Sequence, residues 1–158
     1  MRIVRGVIAA AIATVALGTA AHAAGASTRA QATAFDQITY SDSGGFAGSG
    51  TGKSLSVTRD GRVEARTRNG TNATLTLPDQ ELSELNNAVA AVDWKSLQQR
   101  YVTPNAADLI VTDLTVLIRG EAHEVHVDSL AKTPPALQEL FRRLDALHRR
   151  ATSSNPSR

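Results

Sequence analysis

Residues 54–77 read SLSVTRDGRVEARTRNGTNATLTL, and this stretch decides the fold class. Apolar and polar side chains alternate in three short runs, which is the period of a β-strand with one buried face. Asp60-Gly61 and Asn69-Gly70 separate the runs. Such pairs favour hairpin turns in which both central residues take positive φ. The stretch therefore predicts an antiparallel meander with one face toward solvent.

Further strands are predicted on either side of the meander. Ile38 and Tyr40 alternate with polar residues before it, which indicates a first strand. Residues 109–118 form a long run rich in β-branched side chains. After Arg119-Gly120, Val125 and Val127 form a second strand-like run. This arrangement predicts a second hairpin.

Two segments have the period of a helix instead. Apolar residues recur at helical spacing over 82–92 and again over 137–147. Trp94, Leu97 and Tyr101 are expected to continue as a short additional helical piece that packs on the same core. We predict an α+β fold, an antiparallel β-sheet meander with two main helices packed on one face.

Residues 1–23 have the pattern of a secretory signal peptide. A basic start is followed by a short apolar stretch and by Ala21-His22-Ala23, small residues before a cleavage point. An uncleaved N-terminal anchor is the alternative, although the apolar stretch is short for a membrane span. Cleavage predicts a periplasmic or extracellular protein.

The remaining chain is predicted to form one domain. We expect a flexible leader over 24–34, a single domain over 35–150 and a disordered tail over 151–158. The chain has no cysteine, so a hydrophobic core without disulfides must hold the domain together.

The charge balance argues against a polyanionic partner. Loss of Arg2 and Arg5 with the signal peptide leaves 15 basic residues against 15 acidic ones. A near-neutral domain lacks the basic excess typical of proteins that bind nucleic acid. We therefore predict no nucleic-acid partner, no membrane association after signal removal, and a monomer.

Residues 44–54, GGFAGSGTGKS, come within one residue of the phosphate-binding loop G-x-x-x-x-G-K-[ST]. A phosphate loop must lead into a helix, whose N-terminus then faces the anion. Here Lys53-Ser54 leads into the strand-like run that begins the meander. We predict no nucleotide binding.

No residue pattern indicates catalysis or a metal site. His123 and His126 would point to opposite faces of a strand, toward solvent, and His148 lies near a predicted helix end. Glu124, His126 and Asp128 would share one face, as they also would on an ordinary polar sheet surface. We predict no metal, no cofactor and no enzymatic activity. A small hydrolase or a metal-binding protein is a weaker alternative.

The order of several short motifs resembles one protein family. These motifs are Ser43–Gly48 (SGGFAG), Leu77-Pro78, Asp93–Leu97 (DWKSL), the loop and strand from Asp108 to Val116, Val125–Asp128 (VHVD) and Pro134–Leu137 (PPAL). Together they resemble the emfourin-like proteins, small inhibitors of protealysin, a thermolysin-type metallopeptidase. The likeness spans most of residues 36–148.

The resemblance implies an α+β protein-binding domain that inhibits a thermolysin-type metallopeptidase by tight binding. Export is implied by the predicted signal peptide, and in this the chain departs from the family, whose type protein has no obvious export signal. The alternative is an exported structural or envelope-associated protein without inhibitory activity. A loop at 44–48 or a loop at 101–108 is the expected contact, and Phe46 either packs in the core or lies at a loop tip. The candidate protein-binding residues are Gly44, Gly45, Phe46, Ala47, Gly48, Tyr101 and Asp108.

Overall fold

The computed structural model describes residues 33–45, 52–70 and 72–154. The predicted signal peptide and three of the candidate contact residues, Phe46, Ala47 and Gly48, lie outside the described residues. The elements in chain order are β1 (Gln37–Gly44), β2 (Ser54–Thr58), β3 (Arg62–Arg66), β4 (Asn72–Thr76), α1 (Asp79–Ala90), β5 (Arg100–Tyr101), β6 (Ile110–Ile118), β7 (Glu121–Asp128) and α2 (Pro135–Ser153).

The strands form one sheet in the order β4-β3-β2-β1-β6-β7-β5. β1 lies in the centre and pairs antiparallel with both β2 and β6. β2, β3 and β4 follow as the predicted meander, and β6 and β7 form the predicted second hairpin. The two-residue strand β5 pairs with β7 in parallel.

Both helices cover one face of this sheet, which confirms the α+β fold. Alternate residues of the strands, such as Ile38 and Val57, are fully buried beneath the helices. The apolar stripe of α2 places Leu137, Leu140 and Leu144 in the same core. Burial of each such side chain contributes about 1.5–3 kcal/mol. The opposite face of the sheet carries mainly hydroxyl and charged side chains.

The tight turns differ from the prediction in one respect. Gly61 has φ 82°, but Asp60 does not have positive φ, and the Gly61 amide donates to the Thr58 carbonyl at 2.9 Å. This is a three-residue loop with glycine at its left-handed position, so the expectation of two positive φ values was wrong there. It was also wrong at Asn69-Gly70, where Gly70 has φ 79° but Asn69 does not have positive φ. Two positive φ values occur at Arg119 (52°) and Gly120 (82°), between the paired residues Ile118 and Glu121.

The predicted helical piece at Trp94, Leu97 and Tyr101 was also wrong. Residues 91–99 form turns, and Tyr101 belongs to β5. The His126 amide donates to the Gln99 carbonyl at 2.9 Å, and this pairing with β7 requires an extended chain. The indole of Trp94 instead donates to the Val89 carbonyl near the end of α1, at 3.0 Å.

The domain extends slightly beyond the predicted boundaries. Ala34 packs against the core, and its amide donates to Asn86 Oδ1 at 2.7 Å. At the other end α2 continues through Ser153, and Ala151 is buried, because the apolar stripe of the helix continues for one more turn than predicted. Within the described ranges, no helix is long and apolar enough to span a membrane.

Candidate functional site

Four connections leave the sheet at the same end. One is the short turn 67–71 between β3 and β4. The other three comprise residues 45–53 between β1 and β2, 102–109 between β5 and β6, and 129–134 between β7 and α2. The register places Gly44 beside Ile110 and Val111 beside Asp128, so the three connections are neighbours. We call this region the loop end, and the opposite end, with turns 59–61 and 119–120, the turn end.

The two predicted contact segments adjoin at the loop end. The Gly45 amide donates to the Leu109 carbonyl at 3.2 Å, and Asp108 directly precedes Leu109. Gly44 has φ 80°, and a Cβ atom there would lie 2.7 Å from the Leu109 carbonyl oxygen. Only glycine fits this position, because a side chain would need both an unfavourable φ and space that the neighbouring backbone occupies. Asp108 is exposed and has φ 55°.

Lys53 anchors the other end of the glycine-rich segment. Its Nζ lies 2.9 Å from Asp42 Oδ2 on β1 and also forms an ion pair with Asp145 on α2. The Lys53 ammonium group lies 5.2 Å from the centre of the Tyr40 ring, within range of a cation–π interaction. The Asp42 amide donates to the Lys53 carbonyl at 3.0 Å. The lysine of the apparent phosphate loop therefore joins β1, β2 and α2.

The remaining polar atoms of this cluster are also paired. Tyr40, only 2% exposed, donates its hydroxyl to Asp145 Oδ1 at 2.7 Å. Thr112 Oγ1 donates to Asp42 Oδ1 at 2.9 Å. Asp42 is 8% exposed, so this carboxylate is stabilised by its partners rather than by water.

The cluster shifts the pKa values of three of its groups. Burial, together with the hydrogen bond to Asp145 and the nearby carboxylates, raises the pKa of Tyr40. Burial alone would lower the pKa of Lys53, but hydrogen bonds and attraction to Asp145 and Asp42 raise it. Burial alone would raise the pKa of Asp145, but Lys53 and Tyr40 lower it. The charged lysine, the ionised Asp145 and the neutral tyrosine therefore stabilise one another.

Asp128 anchors the two other connections. Its carboxylate accepts hydrogen bonds from the amide and the hydroxyl of Thr103, the latter at 3.0 Å, and from the Leu130 amide at 2.9 Å. Burial alone would raise the pKa of Asp128, but the Thr103 and Leu130 amides lower it. One carboxylate at the end of β7 thus fixes the beginnings of both the 102–109 and the 129–134 connections.

Two exposed apolar side chains lie directly beside this anchor. Val102 is 65% exposed and Leu130 is 63% exposed, and they are the large hydrophobic residues that stand out as exposed among the described residues. Both line a surface depression of about 410 Å³, together with Pro104 and Lys132. The sequence analysis named the loop 101–108, which contains Val102, but not Val102 itself, and it missed Leu130. Leu130 is an apolar residue that fits neither the alternation of β7 nor the apolar stripe of α2.

The predicted contact residues have different environments. Gly44 and Gly45 form the base of the glycine-rich segment, and Asp108 lies beside that base. Tyr101 is half-buried and packs against the core, and its hydroxyl oxygen accepts a hydrogen bond from the Gln98 amide at 3.1 Å. Tyr101 therefore holds the start of the 102–109 connection in place and offers little of its side chain for contact with a partner.

The histidines have structural partners, so the expectation that the strand histidines face solvent was wrong for His123. The ring of His123 lies 5.6 Å from that of Trp94, centre to centre. His126 Nδ1 lies 2.5 Å from Asp113 Oδ1 on the uncovered face of the sheet. His148 is buried within α2, and its Nε2 lies 3.1 Å from the Arg66 carbonyl oxygen. In the part of the chain that the structure describes, no three potential ligands are grouped as a metal site requires.

Residues 36–148 match the sequence model of a protein family described as a domain of unknown function, DUF6438. The match runs from just before β1 into α2, so it includes the whole sheet and every connection of the loop end. No curated protein shows significant similarity to the chain.

Proposed function

The chain belongs to the DUF6438 family, and we propose that it is an exported protein-binding domain whose loop end docks onto a partner protein. Its partner in this proposal is a thermolysin-type metallopeptidase, which the domain inhibits by tight binding without catalysing a reaction. An exported structural or envelope-associated role is the second candidate. It rests on the same predicted signal peptide and would need no protease contact.

The observation that carries the proposal is the pair of exposed apolar side chains at the loop end. Val102 and Leu130 both expose more than half of their surface, at 65% and 63%. Protein-binding surfaces commonly centre on apolar side chains of this kind, surrounded by polar groups. Lys132 and Asp108 supply such polar groups in the same three connections.

The anchors beneath the loop end also favour binding. Association costs less when the contacting segments are already ordered, because little conformational freedom is then lost. Lys53 fixes one end of the glycine-rich segment, the Gly45–Leu109 hydrogen bond fixes the other, and Asp128 fixes both remaining connections. Anchoring the ends of the contacting segments in this way lowers the conformational cost of occupying a cleft.

The choice of partner rests on the resemblance to emfourin-like inhibitors. Thermolysin-type clefts accept a bulky apolar side chain next to the catalytic zinc. Val102 and Leu130 are the large exposed apolar residues that the described parts of these connections offer to such a cleft. Phe46, outside the described residues, is the candidate that the resemblance adds. Asp108, which directly precedes Leu109, supplies an exposed acidic group at the same end.

The proposal is tested by titrating the purified protein into a thermolysin-type metallopeptidase while peptide hydrolysis is followed. We expect stoichiometric loss of activity with the wild-type chain. The double variant Val102→Ser/Leu130→Ser should weaken inhibition at least about tenfold, which corresponds to about 1.4 kcal/mol. Phe46→Ala tests the glycine-rich segment in the same assay.

Glu121→Ser is the matched control, because it removes an exposed side chain at the turn end. It should inhibit like the wild type. Folding of each variant is checked by its unfolding midpoint in urea. An unaltered peptidase rate with every thermolysin-type enzyme tried would contradict inhibition and favour the structural role. Equal inhibition by the double variant and the control would place the contact elsewhere.

A further inference from the structure

The two edges of the sheet are unequal. On one side the sheet ends in β5, which has only two residues. On the other side it ends in β4, Asn72–Thr76, which pairs along its whole length with β3. In the described part of the chain β4 is the last strand on that side. Alternate amides and carbonyls of such a strand point away from the sheet and can pair with another strand.

β4 lacks two of the usual features that prevent this pairing. Edge strands are commonly blocked by lysine, by other charged residues or by proline. The sequence of β4 is Asn-Ala-Thr-Leu-Thr, which contains neither a charge nor a proline. Leu75 is half-buried at this edge and packs against the margin of the core. A further strand beside β4 would cover more of this side chain.

The sequence of β4 is also complementary to itself. In an antiparallel pair centred on Thr74, two threonines face each other on the uncovered face of the sheet. Ala73 of each copy then faces Leu75 of the other on the helix-covered face, so a small side chain meets a large one. Asn72 faces Thr76, and no like charges are opposed. Threonine pairs and apolar pairs of this type stabilise neighbouring strands.

We propose that β4 is an interface for a second copy of this chain, with a two-fold axis at Thr74. The sheets of the two copies join edge to edge in this dimer, and each copy contributes the same strand. The inference goes beyond the proposed function and leaves the loop end free. The sequence alone leads us to expect a monomer, and the unblocked edge is the reason to infer a dimer.

The absence of cysteine from the chain allows a direct test. Thr74→Cys introduces a single thiol, and the pairing places it opposite its own copy at a distance suited to a disulfide. We expect mild oxidation to convert most of this variant to a covalent dimer. Thr39→Cys is the control, because Thr39 is exposed on the same face but lies in the central strand β1. It should remain monomeric under the same conditions.

Sedimentation of the uncross-linked protein supplies the second measurement. The wild type should shift toward dimer as its concentration rises to about 100 µM. Thr74→Lys places two like charges opposite each other and should raise the dimer dissociation constant at least about tenfold, whereas Thr39→Lys should not.

Four results would overturn the inference. A wild type that stays monomeric at about 100 µM would exclude a dimer of useful affinity. A dimer that Thr74→Lys leaves intact, or that Thr39→Cys cross-links, would have a different interface. A monomeric Thr74→Cys variant whose thiol resists labelling would show that another part of the same chain covers β4.

Discussion

The two ends of the sheet are held in different ways. At the turn end, three residues join β2 to β3 and two residues join β6 to β7, and glycines with positive φ make these turns possible. At the loop end, the turn 67–71 also has a glycine with positive φ, Gly70. The three other connections there are longer, and charged side chains from distant elements hold them. Lys53 lies 92 residues from Asp145 in sequence, and Asp128 lies 25 residues from Thr103.

This difference shows which parts of the structure depend on neighbouring residues and which depend on contacts between distant elements. A tight turn needs only the conformational preferences of its own residues, so it forms wherever those residues occur. A longer connection needs anchors that exist only after β1, β2 and α2 have come together. The surface proposed for binding therefore depends on the integrity of the whole domain.

Removal of the Lys53 anchor should have the largest effect. Lys53→Met leaves Asp42, which is almost fully buried, and Asp145 without their cation. Breaking a buried ion pair by removing one partner should lower the free energy of unfolding by about 3 kcal/mol, measured by urea denaturation. The exposed Lys95 supplies the control, since Lys95→Met should change stability by less than about 0.5 kcal/mol. Equal stabilities for the two variants would mean that the anchor contributes nothing.

A pair of glycine substitutions compares the two ends directly. Gly44 and Gly120 have similar positive φ values, 80° and 82°. A Cβ at Gly44 would collide with the Leu109 carbonyl, whereas nothing lies within 4 Å of a Cβ at Gly120. Gly44→Ala should therefore cost about 2 kcal/mol or more and Gly120→Ala about 1 kcal/mol in the same denaturation assay. The opposite order would show that the backbone around Gly44 accommodates a side chain more easily than the turn at Gly120 does.

The Tyr40 hydroxyl should make stability depend on alkaline pH. Its pKa is raised in the folded protein, so the folded chain retains a proton that the unfolded chain loses near pH 10. The contribution of Tyr40 to stability should therefore be fully present below that pH and fall as the pH rises further, by at most about 1.4 kcal/mol per pH unit for this one proton. Lys53, whose pKa is also raised, adds a fall of its own. Tyr40→Phe should lose stability less steeply over the same range. Parallel pH profiles of the free energy of unfolding would contradict the role of this hydroxyl.

The smallest expected effect is a gain at the turn end. Arg119 has φ 52°, a conformation that costs most residues about 1 kcal/mol and that asparagine tolerates better. Arg119→Asn should raise the free energy of unfolding by about 0.5 kcal/mol. Arg59, in the other hairpin loop, does not have positive φ, so Arg59→Asn should bring no gain. If both variants were more stable, the loss of a positive charge, rather than the relief of an unfavourable backbone conformation, would explain the gain in stability.

The sequence was sufficient for most of the architecture and for part of the site. Alternation and helical spacing predicted the meander, the second hairpin and the two helices, because those patterns report which face of each element is buried. They failed at Tyr101, where pairing with β7 overrides the local apolar spacing. The adjacency of Gly45 and Leu109 could not be inferred, because it depends on the register of β1 with β6.

By itself, the sequence determined the period of each element and the places where turns can form, since both depend on neighbouring residues alone. Only the tertiary structure decided that Lys53 pairs with Asp42 and Asp145, and that Val102 and Leu130 are exposed together. The physical reason is distance along the chain. Charge pairing and burial depend on which residues the sheet brings together, and no local pattern specifies a partner tens of residues away.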